Sequence, residues 1–354
     1  MYILDNSLYL DDLDYIANLD LPWEKLQNKC ILISGATGLI GSFFVDSIMK
    51  KNESGLNCLI YALNRNNQKA IERFAKWSDN PLLQITAYDI KKPLDSESFG
   101  KVDYVLHMAS NTHPLLYSSD PIGTITTNII GAQNMLDFSV NHKIERFAFV
   151  SSNEIYGENR GDNEMFDEYY CGYINCNTLR AGYPESKRCG EALCQAYKHQ
   201  KNLDVVIPRV TRTYGPTMLL NDSKAVSQFI KNGINGEDIV LKSSGTQYYS
   251  YTHVVDAVSG ILFVLLKGTN GEAYNIADEK SDVMLKDLAE TVANVSNTKV
   301  VFDIPEAVEA AGFSVVTKAR LDGRKLKNLG WNSKYDIQSG MLNTMSILKS
   351  LVDI

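Results

Sequence analysis

The chain has no apolar run approaching the ~20 residues that a membrane-spanning helix requires. It has no excess of basic charge: 35 lysines and arginines face 42 acidic residues, a net charge of −7, so no footprint for nucleic acid is expected. The opening MYILDNSLYLDDLDYIANLD is acidic and lacks the basic start and small-residue cleavage site of a signal peptide, which makes the cytoplasm the expected location. The cysteines, Cys30, Cys58, Cys171, Cys176, Cys189 and Cys194, are unevenly spaced and include no Cys-x-x-Cys pair. That argues against a disulfide framework and a four-thiolate zinc site, and for buried, reduced thiols. No His/Asp/Glu cluster has metal-ligand spacing, so no metal is expected, and the chain has neither internal repeats nor low-complexity tracts.

What remains is an ordinary globular composition, 44% hydrophobic and 22% charged, long enough at 354 residues for one large α/β unit and a smaller domain. From Cys30 onward the pattern is regular. Apolar strands are expected at 31–34, 59–63, 83–87, 104–108, 147–151 and 205–208, with helices between them at 41–50, 124–142 and 183–199. Near-continuous apolar strands alternating with helices imply a parallel sheet covered on both faces. After Gly215-Pro216 the alternation breaks, leaving a short β element at 239–241 and a C-terminal helix at 337–351. The expected division is an N-terminal extension over 1–28, a dinucleotide-type domain over 29–215 to which 250–275 returns, and a substrate-binding domain from 216–249 and 276–354. The fold class is α/β, a Rossmann-type doubly wound parallel sheet with that smaller C-terminal domain.

In ILISGATGLIG, Gly35, Gly38 and Gly41 follow a strand and open a helix. The first permits a tight turn, the second lets backbone approach a pyrophosphate, and the third lets helix pack on strand. The helix N-terminus then offers free N–H groups to the phosphate. At the end of the second strand, IYALNRNN places Asn64 where an acid would hold the ribose of NAD, with Arg65 next to it. An arginine accommodates the 2′-phosphate of NADP, so the cofactor reading is NADP or NAD, leaning to NADP. Asp89, ending the third strand, is placed to meet an adenine amino group, or else to cap a turn.

GYPESKR sets Tyr183 and Lys187 at i and i+4, neighbours on one helical face. A phenol titrates near ~10, and an adjacent ammonium favours the phenolate. The strand ending in Ser151-Ser152 supplies a serine hydroxyl to share a substrate oxygen with Tyr183, and Glu154 follows as a second base.

Together GATGLIG, VLHMAS, the Ser152/Tyr183/Lys187 set, PRVTRTYGP, HVVDAVSGI, YNIADEKS and ARLDGRKLKNLGW closely resemble the extended short-chain dehydrogenase/reductase family of nucleotide-sugar epimerases, dehydratases and decarboxylases. The resemblance runs from about Cys30 to about Leu348, and ASNTHPLLYSSDPIGTITTNIIGAQNML, SSNEIYG and RAGYPESKRCGEALCQAY look like its UDP-glucuronate decarboxylase and sugar dehydratase branch. It implies transient oxidation of a sugar hydroxyl, at C4, with Tyr183 taking the proton, Ser152 gripping the oxygen and Lys187 holding the nicotinamide ribose. By position it also assigns Thr37, Leu39 and Ile40 to the phosphate loop, and Ile90, Met108, Ala109 and Ser110 to the loops beside it. Asn128 and Arg209 complete the cofactor set. Thr112, Asn153, Arg180, Arg212, Asn221 and Tyr249 are expected at the substrate. A homodimer through the helices at 124–142 and 183–199 is implied too.

The chain departs from the family pattern on substrate-facing ground. Sugar dehydratases of the dTDP-glucose type carry an Asp–Glu pair where this chain has Asn153 and Glu154, and an amide cannot donate a carboxylic proton. Decarboxylases carry an arginine where this chain has Tyr249, so a substrate carboxylate loses its charge partner. The family's usual asparagine is Arg212, which needs an anion or a local carboxylate. LKSSG, residues 241–245, departs from the usual nucleotide-pocket stretch, so the base need not be uridine. The expected outcome is epimerisation or dehydration, with decarboxylation, an NADPH-dependent keto-sugar reductase, or a non-catalytic dinucleotide-binding regulator as alternatives. His107 and His253 are expected to serve structure; His113 lies in the cofactor-side loop with no evident partner.

Overall fold

A computed structural model describes residues 2–112, 117, 119–219, 222–304 and 317–352. His113 and Asn221 lie outside the described residues. The strands β1 (Cys30–Ser34), β2 (Leu59–Asn64), β3 (Leu83–Ala87), β4 (Tyr104–His107), β5 (Arg146–Phe149), β6 (Ser151–Ser152) and β7 (Val205–Val210) join Ala273–Ile276 in one sheet. Its order is Ala273–Ile276, β7, β5, β4, β1, β2, β3, with β6 paired to β7, and every pairing is parallel. The order reverses between β1 and β4, so the carboxyl ends of those two strands flank the crevice where doubly wound sheets bind ligands.

Both faces are covered. Helices Leu39–Asn52 and Val254–Lys267 pack on one face, and Pro121–Asn141 and Gly182–Lys201 on the other. All five side chains of β1 are buried, the condition under which a strand reads as a continuous apolar run. The Pro121–Asn141 helix starts three residues earlier than the apolar periodicity suggests. Asp120 accepts from Gly123 N at 3.0 Å, and Pro121 fills a first-turn position that needs no donor. The stretch expected as one strand over 147–151 splits at Val150: pairing with β4 ends at Phe149, and Ser151 and Ser152 keep only the pairing with β7, in unchanged register, opposite Arg209 and Val210.

A second apolar cluster lies in the smaller, C-terminal part. There Tyr248–His253 pairs with Arg212–Tyr214, Asp282–Met284 and Lys318–Ala319, while Ile239–Leu241 pairs with Val300–Phe302. His253 caps the Val254–Lys267 helix and shares a hydrogen with Thr344 Oγ1 at 3.1 Å, a structural role.

The N-terminal helix Ser7–Ala17 is built into the larger core through Tyr9, Leu13 and Ile16, each fully buried. Tyr9 Oη donates to Asp46 at 2.6 Å, and Asp12 receives Lys334 Nζ and Tyr335 Oη, each at 2.6 Å. Among the cysteines, Cys171 and Cys176 are exposed rather than buried, because they lie outside any helix or strand, between Tyr156 and Leu179. No helix among the described residues is long and apolar enough to cross a membrane.

Candidate active site

The phosphate loop has the shape a dinucleotide needs. Gly35 adopts φ +75°, and a Cβ there would stand 2.8 Å from Ala109 N, so the loops after β1 and β4 touch backbone to backbone. A Cβ on Gly41 would collide with the Gly35 carbonyl. Gly38 is the N-terminal flank of the Leu39–Asn52 helix and makes no side-chain cap, which leaves the first N–H groups, around Leu39 and Ile40, for a phosphate. Thr37 is half-buried beside them, and Leu39 O accepts from Thr217 Oγ1 at 2.7 Å.

Ser34 ties this loop to the next. Its hydroxyl lies 2.6 Å from His107 Nδ1 and accepts from Met108 N at 3.2 Å and Ala109 N at 3.3 Å. With both lone pairs taken, the Ser34 proton points at His107 Nδ1, so the imidazole carries its own proton on Nε2. Burial pushes the His107 pKa down to about 3, with Lys187 as a smaller cause, and the ring packs between Phe147 and Phe149. His107 is a neutral structural residue.

At the end of β2, Asn64 is buried and donates to Ala62 O and Thr86 O at 3.4 and 3.3 Å. Those bonds fix its amide and leave Oδ1 buried with no donor among the described residues. A buried acceptor of this kind suits a ribose hydroxyl. Arg65 is exposed and donates to Asn111 Oδ1 at 3.3 Å. Asp89 takes the turn-capping alternative, accepting from Lys91 N at 3.1 Å, and Ile90 packs under Gly131.

Tyr183 and Lys187 lie in the first turns of Gly182–Lys201, both buried. Ser152 and Ser110 flank the Tyr183 phenol and favour its ionised form. Ser110 donates its proton to Asn128 Oδ1 at 2.7 Å. Asn128 Nδ2 donates to Ser186 Oγ at 2.8 Å, and Ser186 donates to Tyr183 O at 2.8 Å, closing a ring that fixes the helix. Asn128, expected at the cofactor, therefore has both ends of its amide engaged within the protein. Ser152 caps the turn Asn153–Tyr156, accepting from Glu154 N at 3.2 Å.

The charges differ from expectation. Burial pushes Tyr183 up to about 12; the Ser152 bond lowers it, Glu154 raises it, and Arg180 lowers it. Lys187 Nζ donates to Val150 O at 2.9 Å and lies over the Phe149 ring, and burial pushes its own pKa down to about 8. Its ammonium is thus directed at the end of the strand rather than at the phenol. Tyr183 holds its proton at neutral pH in the cofactor-free protein.

Glu154 and Arg180, expected as a second base and a substrate contact, are brought together. Arg180 Nη2 donates to both Glu154 oxygens at 2.9 Å, and its guanidinium covers Tyr117 at 4.9 Å. Tyr117 in turn stacks on Tyr183, with centroids 5.0 Å apart and planes 27° apart. Tyr117 was missed in the sequence, although it lies inside the family-like stretch HPLLYSSDP. Asn153 is buried beside Ser152, and Thr112 is exposed in the loop after β4.

Arg209, expected at the cofactor, is engaged elsewhere. Its guanidinium donates to Glu191 at 3.0 and 2.6 Å, to Tyr156 Oη at 2.9 Å and to Glu168 O at 2.7 Å. These partners occupy all three guanidinium nitrogens and hold β7 to the Gly182–Lys201 helix. Arg212 instead stacks on Tyr249, 3.6 Å from guanidinium carbon to ring centroid, and both lie in the second sheet.

A glycine cradle at a strand-order reversal, facing a serine–tyrosine–lysine set, defines a dinucleotide-dependent oxidoreductase site. Residues 31–277 match the model of the NAD dependent epimerase/dehydratase family, and the chain belongs to that family. It is 32% identical over 317 residues to UDP-glucuronic acid decarboxylase 5 of Arabidopsis thaliana, covering 89% of this chain and 87% of the relative. To UDP-glucuronic acid decarboxylase 1 of Danio rerio it is 29% identical over 318 residues, covering 90% and 72%. The fold is shared with UDP-glucose 4-epimerase of Thermotoga maritima, at a TM-score of 0.78 and 23% identity, covering 91% of this chain and 99% of the other. It is shared also with dTDP-glucose 4,6-dehydratase of Streptomyces venezuelae, at a TM-score of 0.76 and 23% identity, covering 91% and 97%.

Proposed function

We propose that this protein oxidises a hydroxyl of a nucleotide-activated sugar, at C4, transiently, and converts the keto-sugar without net redox change. The observation that carries this reading is the Tyr183 phenol, buried and flanked by Ser152 and Ser110 at the carboxyl ends of β6 and β4. A bound nicotinamide supplies the hydride acceptor and, when oxidised, a positive charge. Ser152 holds the sugar oxygen; Tyr183 removes its proton and later returns one; Lys187, anchored on Val150 O, would hold the nicotinamide ribose.

NAD fits better than the NADP suggested by Arg65. The orphaned Asn64 Oδ1 accepts from a hydroxyl and repels a phosphate, while Arg65 is exposed and tied to Asn111. Dehydration through paired acid and base is disfavoured, because Asn153 carries no acidic proton and Glu154 is held by Arg180. Epimerisation remains. Decarboxylation is the second reading, favoured by relatives named for it: a 4-keto sugar bearing a C5 carboxylate loses CO2 as a β-keto acid, and the enolate left behind takes up a proton. A homodimer fits the exposed Ile122, Ile125 and Ile130 on Pro121–Asn141.

Purified protein should carry nicotinamide identified by mass spectrometry as NAD. With a panel of nucleotide sugars, products should show unchanged mass or loss of CO2, and Tyr183→Phe should lower turnover by roughly the 10²–10⁴-fold typical of a lost general acid–base group. Full activity in that variant would sink the mechanism.

A further inference from the structure

Arg212 and Tyr249 lie on neighbouring parallel strands, where Arg212 is in register with Tyr251, two residues beyond Tyr249. The Arg212 guanidinium lies over the Tyr249 ring at 3.6 Å, face contact rather than edge contact. Among the described residues, buried Arg212 Nη1 has no hydrogen-bond partner and no carboxylate pairs with this arginine. The other arginines around Ser152 and Tyr183 are paired: Arg180 with Glu154, Arg188 with Glu185 and Arg209 with Glu191. Arg212 alone among these four has no carboxylate partner among the described residues.

Its position along the chain places that charge at the reacting end of the sheet. Ser152 is in register with Val210 on β7. Arg212 follows two residues later, a step of roughly 7 Å at strand rise, beyond the carboxyl end where doubly wound folds hold their ligands. A guanidinium stacked on an aromatic face keeps its N–H groups in the plane parallel to the ring, oriented and ready to grip an oxyanion through two bonds. An arginine desolvated without a counter-charge is costly, and a ligand anion is what would offset that cost.

The two departures from the family pattern therefore form one arrangement. Where the resemblance assigns an arginine, the chain has Tyr249, and where it assigns an asparagine, it has Arg212. The guanidinium is supplied from the adjacent strand, and the tyrosine serves as its platform. Resting on the nucleotide-sugar reading, we infer that Arg212, presented by Tyr249, is the specificity residue for a substrate oxyanion, either a carboxylate on the sugar or the diphosphate that links it to the nucleoside.

Calorimetric titration of the holoprotein with UDP-glucuronate, UDP-glucose and UDP tests this, comparing wild type with Arg212→Asn and Arg212→Lys. A loss of tenfold or more confined to UDP-glucuronate in Arg212→Asn assigns the carboxylate; equal losses for all three probes assign the diphosphate. Arg212→Lys should recover part of the affinity, since it restores charge without the planar fork, and it decides the matter if the asparagine variant does not fold. Wild type and both variants alike for every probe, whether binding is tight or absent, overturns the inference. Arg212-dependent binding in a protein that makes no product would instead leave this assignment standing and remove the keto-sugar mechanism.

Discussion

Replacing Lys187 with methionine should stabilise the cofactor-free protein at neutral pH while abolishing turnover. Burial lowers this lysine from 10.5 to about 8, and that difference corresponds to about 3 kcal/mol at full effect. The unfolded chain binds the proton up to about pH 10.5 and the folded protein only up to about pH 8. Within that window the unfolded state holds more protons, so stability rises with pH, and below pH 8 the fold carries the whole penalty. Methionine fills the same space without a charge. It removes the donor to Val150 O, a loss of roughly 1 kcal/mol, and the contact over Phe149, roughly another 1 kcal/mol. A net gain of about 1 kcal/mol at pH 7 is expected, crossing zero at about pH 9 and becoming a loss of about 1 kcal/mol by about pH 10. Urea denaturation of wild type and variant at pH 7 and pH 10 measures both points, and subtracting the two curves cancels the other titrating groups. A variant less stable at pH 7, or a difference that does not change with pH, would refute the reasoning.

Glu191→Gln should destabilise the protein by roughly 3–5 kcal/mol, because it leaves the Arg209 charge buried without its partner. Joint replacement, Glu191→Leu with Arg209→Met, should come close to neutral by denaturation, and nicotinamide content should stay at the wild-type ratio. Release of nucleotide from a fully stable Arg209→Met protein would restore the cofactor role. Gly41→Ala sets a methyl against the Gly35 carbonyl, so nicotinamide retained through purification should fall at least tenfold while far-ultraviolet circular dichroism stays unchanged. Full retention would show that the loop yields.

The sheet and the glycine loop were legible because their signals are local. Strands buried on both faces read as apolar runs, and the turn after β1 demands glycine wherever a Cβ would strike backbone. Tyr183 and Lys187 were legible through their four-residue spacing on one helix. The partners of each charge were not. Arg209 meets Glu191, Glu168 and Tyr156 from three separate stretches of chain, and nothing in PRVTRTYGP distinguishes its role from that of Arg212. Tyr117 was hidden for the same reason, since its stacking on Tyr183 spans 66 positions and leaves no periodicity. The depression of Lys187 depends on the depth of burial, which spacing does not report.

The N-terminal helix bears on how the molecule is made. Its anchors are distant in sequence: Asn6 reaches Ser350, and Asp12 reaches Lys334 and Tyr335. The glycine loop and β1 to β4 can be synthesised and begin to assemble early, since chains fold from the N-terminus as they emerge. The first helix can engage Asp46 and Phe43 through Tyr9 at that stage, but not its other partners. Asn6 and Asp12 must wait for partners that lie 344 and 322 positions further along the chain. The contacts that seal the core are then the slowest kind to form, those that close the longest loops.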